Sequence, residues 1–125
     1  MNDNIEQIRH VLHHFRDENP EFTAIFELNE PVSLFLYECA IALINNDTVD
    51  INVGFAYCHP KDQFCKKTGR ELAKSRIESY QFKVEYIHRY DDSVQIYLEL
   101  NDEKARETNT TFVFKIYDNS RISIY

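Results

Sequence analysis

The sequence predicts an α+β fold: a predominantly antiparallel, twisted sheet of about seven strands with two helices packed on it, in the order α-β-β-β-α-β-β-β-β. Two stretches repeat apolar residues every three or four positions, several others alternate apolar with polar residues, and short polar turns separate successive alternating runs. Short turns join antiparallel neighbours, and an apolar helix face needs a sheet or another helix to cover it. Without an internal repeat, linker or low-complexity tract, residues 1–125 are expected to form a single domain.

The first element expected is an amphipathic helix over residues 4–17. Ile5, Ile8, Leu12 and Phe15 recur at helical steps, Asp3 or Asn4 can cap it, and Asn19-Pro20 can stop it. A strand follows in which Phe22, Ala24, Phe26 and Leu28 alternate with Thr23, Ile25 and Glu27. After the turn Asn29-Glu30-Pro31, the long apolar run from Val32 to Ile44 fits a buried strand or a helix; its Val, Phe, Tyr and Ile content and its place between strands favour a strand. Asn45-Asn46-Asp47 is turn chemistry, and Val49, Ile51, Val53, Phe55 and Tyr57 alternate in a third strand.

Helical spacing returns over residues 62–79, where Phe64, Cys65, Thr68, Gly69, Leu72, Ala73 and Tyr80 trace one face. Four alternating runs complete the chain: Phe82-Val84-Tyr86, Val94-Ile96-Leu98-Leu100, Phe112-Phe114-Ile116 and Ile122-Ile124. Asp91-Asp92-Ser93 and Asp118-Asn119-Ser120 supply tight turns, and a longer polar connection spans residues 101–110. Tyr97, Tyr117 and Tyr125 fall on the opposite parity from the core residues, which places them on the outer face of the sheet.

At 43% hydrophobic and 14% aromatic, the chain is too apolar for a disordered segment, and its apolar residues are too dispersed for a membrane span. The opening MNDNIEQ resembles no signal peptide, so a cytoplasmic location with no membrane association is expected. Cys39, Cys58 and Cys65 form an odd set in apolar contexts, which suits reduced, packed thiols and no disulfide. The net charge of −7 argues against general affinity for nucleic acid. That charge is unevenly spread. Lys61, Lys66, Lys67, Arg70, Lys74 and Arg76 lie within sixteen residues that hold only Asp62 and Glu71 as acids. The window is therefore +4 and the remainder −11.

At about 100° per residue, Lys66, Lys67, Arg70 and Lys74 occupy one arc of the second helix, opposite Cys65, Thr68 and Leu72. That arc is a solvated face, or it pairs with neighbouring carboxylates of the same fold, or it is offered to an acidic partner. Arg76 falls on the apolar side, where it must reach water or meet a carboxylate. The only two glycines also lie here. Gly54 interrupts a strand and Gly69 interrupts the helix, at a cost of about 1 kcal/mol relative to Ala. Close seating of the helix on the sheet would account for both.

The run from Gly54 through Cys58, Pro60, Asp62 and Phe64 to Gly69-Arg70, continuing to Ala73 and Arg76, resembles a segment of short uncharacterised bacteriophage proteins. In those, a strand carrying G-x-A-x-C-x-P-x-D-x-F leads into a helix with basic residues and G-R. The resemblance covers about a fifth of the chain and brings no known chemistry with it. It implies a phage origin, and by analogy an action on host machinery, including host defence.

Catalytic and metal chemistry find little support. His10 and His14 have the four-residue spacing that lets two imidazoles share a metal on a helix, but no HExxH accompanies them. Cys58, His59 and Cys65 provide three soft ligands where a structural zinc needs four. A nucleophilic pair of Cys58 or Cys65 with His59 or His88 lacks any sign of an activated thiol. Two isolated glycines cannot form a phosphate-cradling loop. No cofactor, metal or enzymatic activity is therefore expected. The function expected is that of a non-enzymatic accessory protein that binds a host or phage protein and modulates it, as an inhibitor of host defence. Within that class, Asp91, Asp92, Glu99, Asp102, Glu103 and Glu107 are candidates for mimicry of nucleic acid. The alternative is nucleic-acid or nucleotide binding through Lys66, Lys67, Arg70, Lys74 and Arg76, with affinity that falls as salt rises. Edge strands and tyrosines also suggest a homodimer.

Overall fold

A computed structural model describes residues 8–105 and 110–125. Seven strands form one antiparallel sheet in which spatial order follows chain order: β1 (Arg9–Phe15), β2 (Phe22–Leu28), β3 (Thr48–Tyr57), β4 (Glu78–Arg89), β5 (Ser93–Leu100), β6 (Thr111–Tyr117) and β7 (Ile122–Ile124). Helix α1 (Val32–Asn45) joins β2 to β3, and α2 (Lys66–Ser75) joins β3 to β4. The predicted number of strands and helices is present, but the order is β-β-α-β-α-β-β-β-β, because two elements exchange type.

The expected first helix is a strand over its described part, residues 9–15; Ile5 and the caps Asp3 and Asn4 lie outside the described residues. Helical spacing was imitated because both faces of β1 are partly covered. Val11 and Phe15 turn to the interior, while Leu12 turns out and packs under α2 with Ile25, Ala56, Ala73 and Ile77. A strand apolar on both faces loses its two-residue alternation. Its pairing with β2 runs from Arg9↔Leu28 to Phe15↔Phe22.

The run expected as a strand from Val32 is α1. Phe35, Cys39 and Ala42, at steps of four and three, are its buried residues. The Pro31 carbonyl accepts from Leu34 and Phe35 N–H at 3.0 and 3.1 Å to start the helix. Asn46 ends it in the left-handed region at φ 54°, with Asp47 N–H donating to Ala42 O and Asn46 N–H to Leu43 O, the Schellman arrangement. The turn chemistry at Asn45-Asn46-Asp47 is thus a helix C-terminus. Propensity for strand lost to burial of a helical face.

The sheet curls until its first and last strands approach: β1 lies against β7, with the Arg9 guanidinium donating to the Ser120 carbonyl. Inside, aromatic rings meet across strands that are remote in the sheet. Phe112 of β6 lies 5.6 Å from Phe15, 5.3 Å from Phe26 and 6.0 Å from Phe55, between ring centroids. Phe35 of α1 reaches Phe114 at 5.7 Å, so α1 completes the same interior. A bulge between Val84 and Tyr86 changes parity within β4. Tyr86, expected inward after Phe82 and Val84, is consequently 52% exposed, and Ile87 turns to the core instead. Tyr97 and Tyr117 do face outward; Tyr97 meets Tyr86 at 5.5 Å, and Tyr117 carries Arg121 over its ring at 4.1 Å. Among the described residues no helix is long and apolar enough to cross a membrane.

Candidate functional site

Helix α2 is shorter than the expected 62–79. Cys65 is its N-cap and Arg76 its C-cap, and residues from Glu78 on pair with β3. Two small residues set its seat. Added to Gly54, a β-carbon would overlap the carbonyl oxygen of Ala73; added to Gly69, it would come 2.5 Å from Thr23 Oγ1. Gly54 therefore admits the helix backbone, and Gly69 admits a side chain of β2. Both glycines serve the close seating expected of them, at separate points.

The orientation of the helix corrects the expected arc. The side resting on the sheet is Gly69 and Ala73, while Thr68 is exposed, Cys65 is exposed and Leu72 is 40% exposed. Lys67 and Lys74 face solvent, whereas Lys66 and Arg70 lie on the flank toward β1, near enough to His14 to bear on its charge. The four cations are thus divided between the outer face and one flank. None forms an ion pair with another described residue. Arg76 is exposed, the route to water expected of it, and meets no carboxylate among the described residues; its guanidinium also donates to the Phe55 carbonyl at 3.3 Å.

Residues from β1 and β2 complete this flank. His14 Nδ1 is 2.8 Å from Thr23 Oγ1, a hydroxyl wholly buried beneath Gly69. The His14 ring stands edge-on to Phe64 at 5.6 Å, and Arg16 lies over the same Phe64 ring at 4.8 Å while pairing with Glu21 at 3.4 Å. Burial, followed by Lys66, His13, Arg70 and Arg16, holds His14 below the ordinary imidazole range. Sequence reasoning weighed His14 only as a metal ligand with His10 and missed Arg16 and Thr23, because only the β1–β2 register and the seat of α2 bring the three to the basic segment.

A cleft of about 290 Å³ opens on the other flank, lined by Cys58, His59, Asp62, Phe64, Cys65 and Leu72 among others. It assembles no catalytic pair. His59 Nδ1 accepts from the Lys61 N–H at 3.1 Å, and Cys58 Sγ is directed at the His59 and Asp62 carbonyls. His88 sits with Tyr86 and Tyr90 beyond the far end of the β3–β4 pairing from Cys58. The three thiols are free, but only Cys39 is packed as expected; Cys58 is half-buried and Cys65 exposed. Burial pushes Cys39 up to about 12. Cys65 is held below the ordinary thiol range, chiefly by the Thr68 hydroxyl, which donates to its sulfur at 3.3 Å. That sign of activation was invisible in the sequence.

The histidines expected four apart on a helix are four apart on a strand, about 13 Å from one another. His10 instead meets Glu27 at 3.0 Å. Among the described residues no three His, Cys, Asp or Glu side chains gather as a metal site. The acidic residues considered for mimicry divide between the two ends of β5. Asp92 receives the Ser93 hydroxyl at one end, while Asp102 accepts the Gln81 and Lys104 N–H groups at the other; Glu107 lies outside the described residues. They form no continuous strip. Comparisons with protein-family models, with curated proteins and with solved structures found no match to this chain.

Proposed function

We propose that this protein is a non-enzymatic binding module that uses the basic side of α2 to hold an acidic surface of a protein partner and modulate it. The observation that carries the proposal is the cluster Lys66, Lys67, Arg70 and Lys74, unpaired among the described residues, on a chain whose remainder is −11. Cations not neutralised within their own fold attract an oppositely charged surface and speed its encounter. The resemblance of residues 54–76 to short phage proteins gives the setting: a host or phage protein in the bacterial cytoplasm, with inhibition of host defence as the outcome.

A second reading, binding of nucleic acid or a nucleotide, is favoured by the positive charge that Lys66, Arg70 and Arg16 bring to the surroundings of His14. Capture from bacterial lysate with the intact chain and with a Lys66→Ala, Lys67→Ala, Arg70→Ala, Lys74→Ala variant separates the two. A stoichiometric protein recovered by the intact chain and lost with the variant supports the first reading. Saturable, salt-weakened oligonucleotide or nucleotide binding that needs the same four residues, with no protein recovered, supports the second. If neither is seen, the basic side is a solvated face and the proposal fails.

A further inference from the structure

A different face of the molecule, on α1, carries an unpartnered apolar stripe. Leu34, Tyr37, Ile41 and Ile44 are 43%, 64%, 40% and 78% exposed, on the side of the helix away from the buried Phe35, Cys39 and Ala42. A helix apolar on both sides is one that a complete assembly buries on both sides. The spacing of the stripe is three, four, three, the a/d seam of a helix that packs along another helix. It also reads the same in both directions. An antiparallel copy places Leu34 against Ile44 and Tyr37 against Ile41, twice over, as a two-fold axis requires.

We infer that a second copy of this chain covers the stripe, in an antiparallel α1–α1 dimer with two-fold symmetry. The area is in the right range. At about 200 Å² for a large side chain, the exposed fractions leave roughly 450 Å² per copy, or about 900 Å² across two, before the rim is counted. Ser33, Glu38, Ala40 and Asn45 flank the seam and carry the total toward the ~1,000 Å² that a specific interface needs. Ser33 and Ala40 are small enough on the rim to let the helices approach, and a groove of about 460 Å³ beside Tyr37 and Ile41, running to Val49, offers room for the partner's Tyr37. Within α1 little charge opposes the contact, although Asp47 and Asp50 also line the groove. Glu38 is the only charged residue in α1, and it is hydrogen-bonded to Glu30, whose carboxyl is pushed up to about 7 by burial and by Glu38 itself. Near neutral pH the pair therefore sheds part of its charge. An interface of this size gives a dissociable dimer, which presents two α2 faces to a partner and strengthens attachment by avidity.

Sedimentation equilibrium of the full chain across micromolar to millimolar concentration tests the inference. The expected result is a reversible monomer–dimer equilibrium, weakened at least tenfold by Ile44→Lys and by Tyr37→Lys, both at exposed positions that tolerate lysine. It should be unchanged in the quadruple α2 variant, so that loss of dimer and loss of partner binding remain separate results. A second measurement reads the orientation: an oxidised mixture of Leu34→Cys and Ile44→Cys chains, each also Cys58→Ser and Cys65→Ser, should cross-link between the two variants in preference to within either. A monomer throughout the range, a dimer indifferent to both lysines, or cross-linking within each variant in preference to the mixture would overturn it.

Discussion

Thr23 and Ala73 show how two glycines act differently in one seam. At Gly54 the obstacle to a β-carbon is the backbone of α2, which moves only if the whole helix lifts off β3. At Gly69 the obstacle is the end of a side chain, Thr23, whose hydroxyl already serves His14. Gly54→Ala is therefore expected to cost at least about 2–3 kcal/mol, as overpacking against rigid neighbours does. Gly69→Ala should cost less, since it gains about 1 kcal/mol of helix propensity while displacing Thr23. Urea denaturation of the two variants and of Gly69→Ala with Thr23→Ala checks the order; equal losses at the two glycines would contradict it. Cys65 carries a second prediction at this scale. The Thr68 hydroxyl and Lys67 favour its thiolate, whereas Cys58 is shifted upward by partial burial and then by Glu21 and Asp62. Iodoacetamide at neutral pH should modify Cys65 first, and Thr68→Val should slow that reaction while leaving Cys58 unaffected.

At the scale of elements, the packing of α2 on β1 has its own pH signature. His14 is held low in the folded chain by burial first and then by Lys66, His13, Arg70 and Arg16. Between that depressed value and the ordinary 6.5, the unfolded chain binds more protons than the folded one, so stability falls as pH drops through this window. Replacing Lys66 and Arg70 with Ala should raise the His14 midpoint in an NMR titration and lessen the acid loss. An unchanged midpoint would place α2 elsewhere. The same contact explains what was legible in the sequence. β5, β6 and β7 alternate because one face meets the core. β2 and β3 kept a readable alternation although α2 covers part of their outer faces, because most outward residues there are small or polar (Thr23, Gly54 and Ala56, with Ile25 the large apolar exception). Helix α2 was visible from its change of period. β1 was not, because α2 covers its outer face and makes Leu12 apolar there. α1 was not, because its exposed side is as apolar as its buried side, so no polar residues marked the period. Of the site, Lys66, Lys67, Arg70, Lys74 and Arg76 were legible as a charge cluster. Its true orientation depended on the two glycines meeting Ala73 and Thr23, contacts no local pattern encodes.

Closure of the sheet is the property of the whole molecule from which the other arrangements follow. In an open meander β6 lies four strands from β2, too far for their side chains to meet. Here the Phe112 ring touches Phe15, Phe22, Phe26, Phe55 and Phe82, one ring or more from each of β1 to β4. The expected edge strands are consequently turned toward each other, β1 near the three-residue β7, and α1 carries an exposed apolar surface on another part of the molecule. Truncation at Phe112 should then be felt on both sides of the closure. Phe112→Ala is expected to cost about 3–5 kcal/mol, the usual range for a buried ring, with Phe112→Leu much milder. Amide exchange gives the sharper test. If the sheet is closed through this ring, protection falls together in β1, β2 and β6. Loss confined to β6 and its neighbours β5 and β7 would mean that the two halves of the sheet do not depend on each other, and that the interior is a one-sided core.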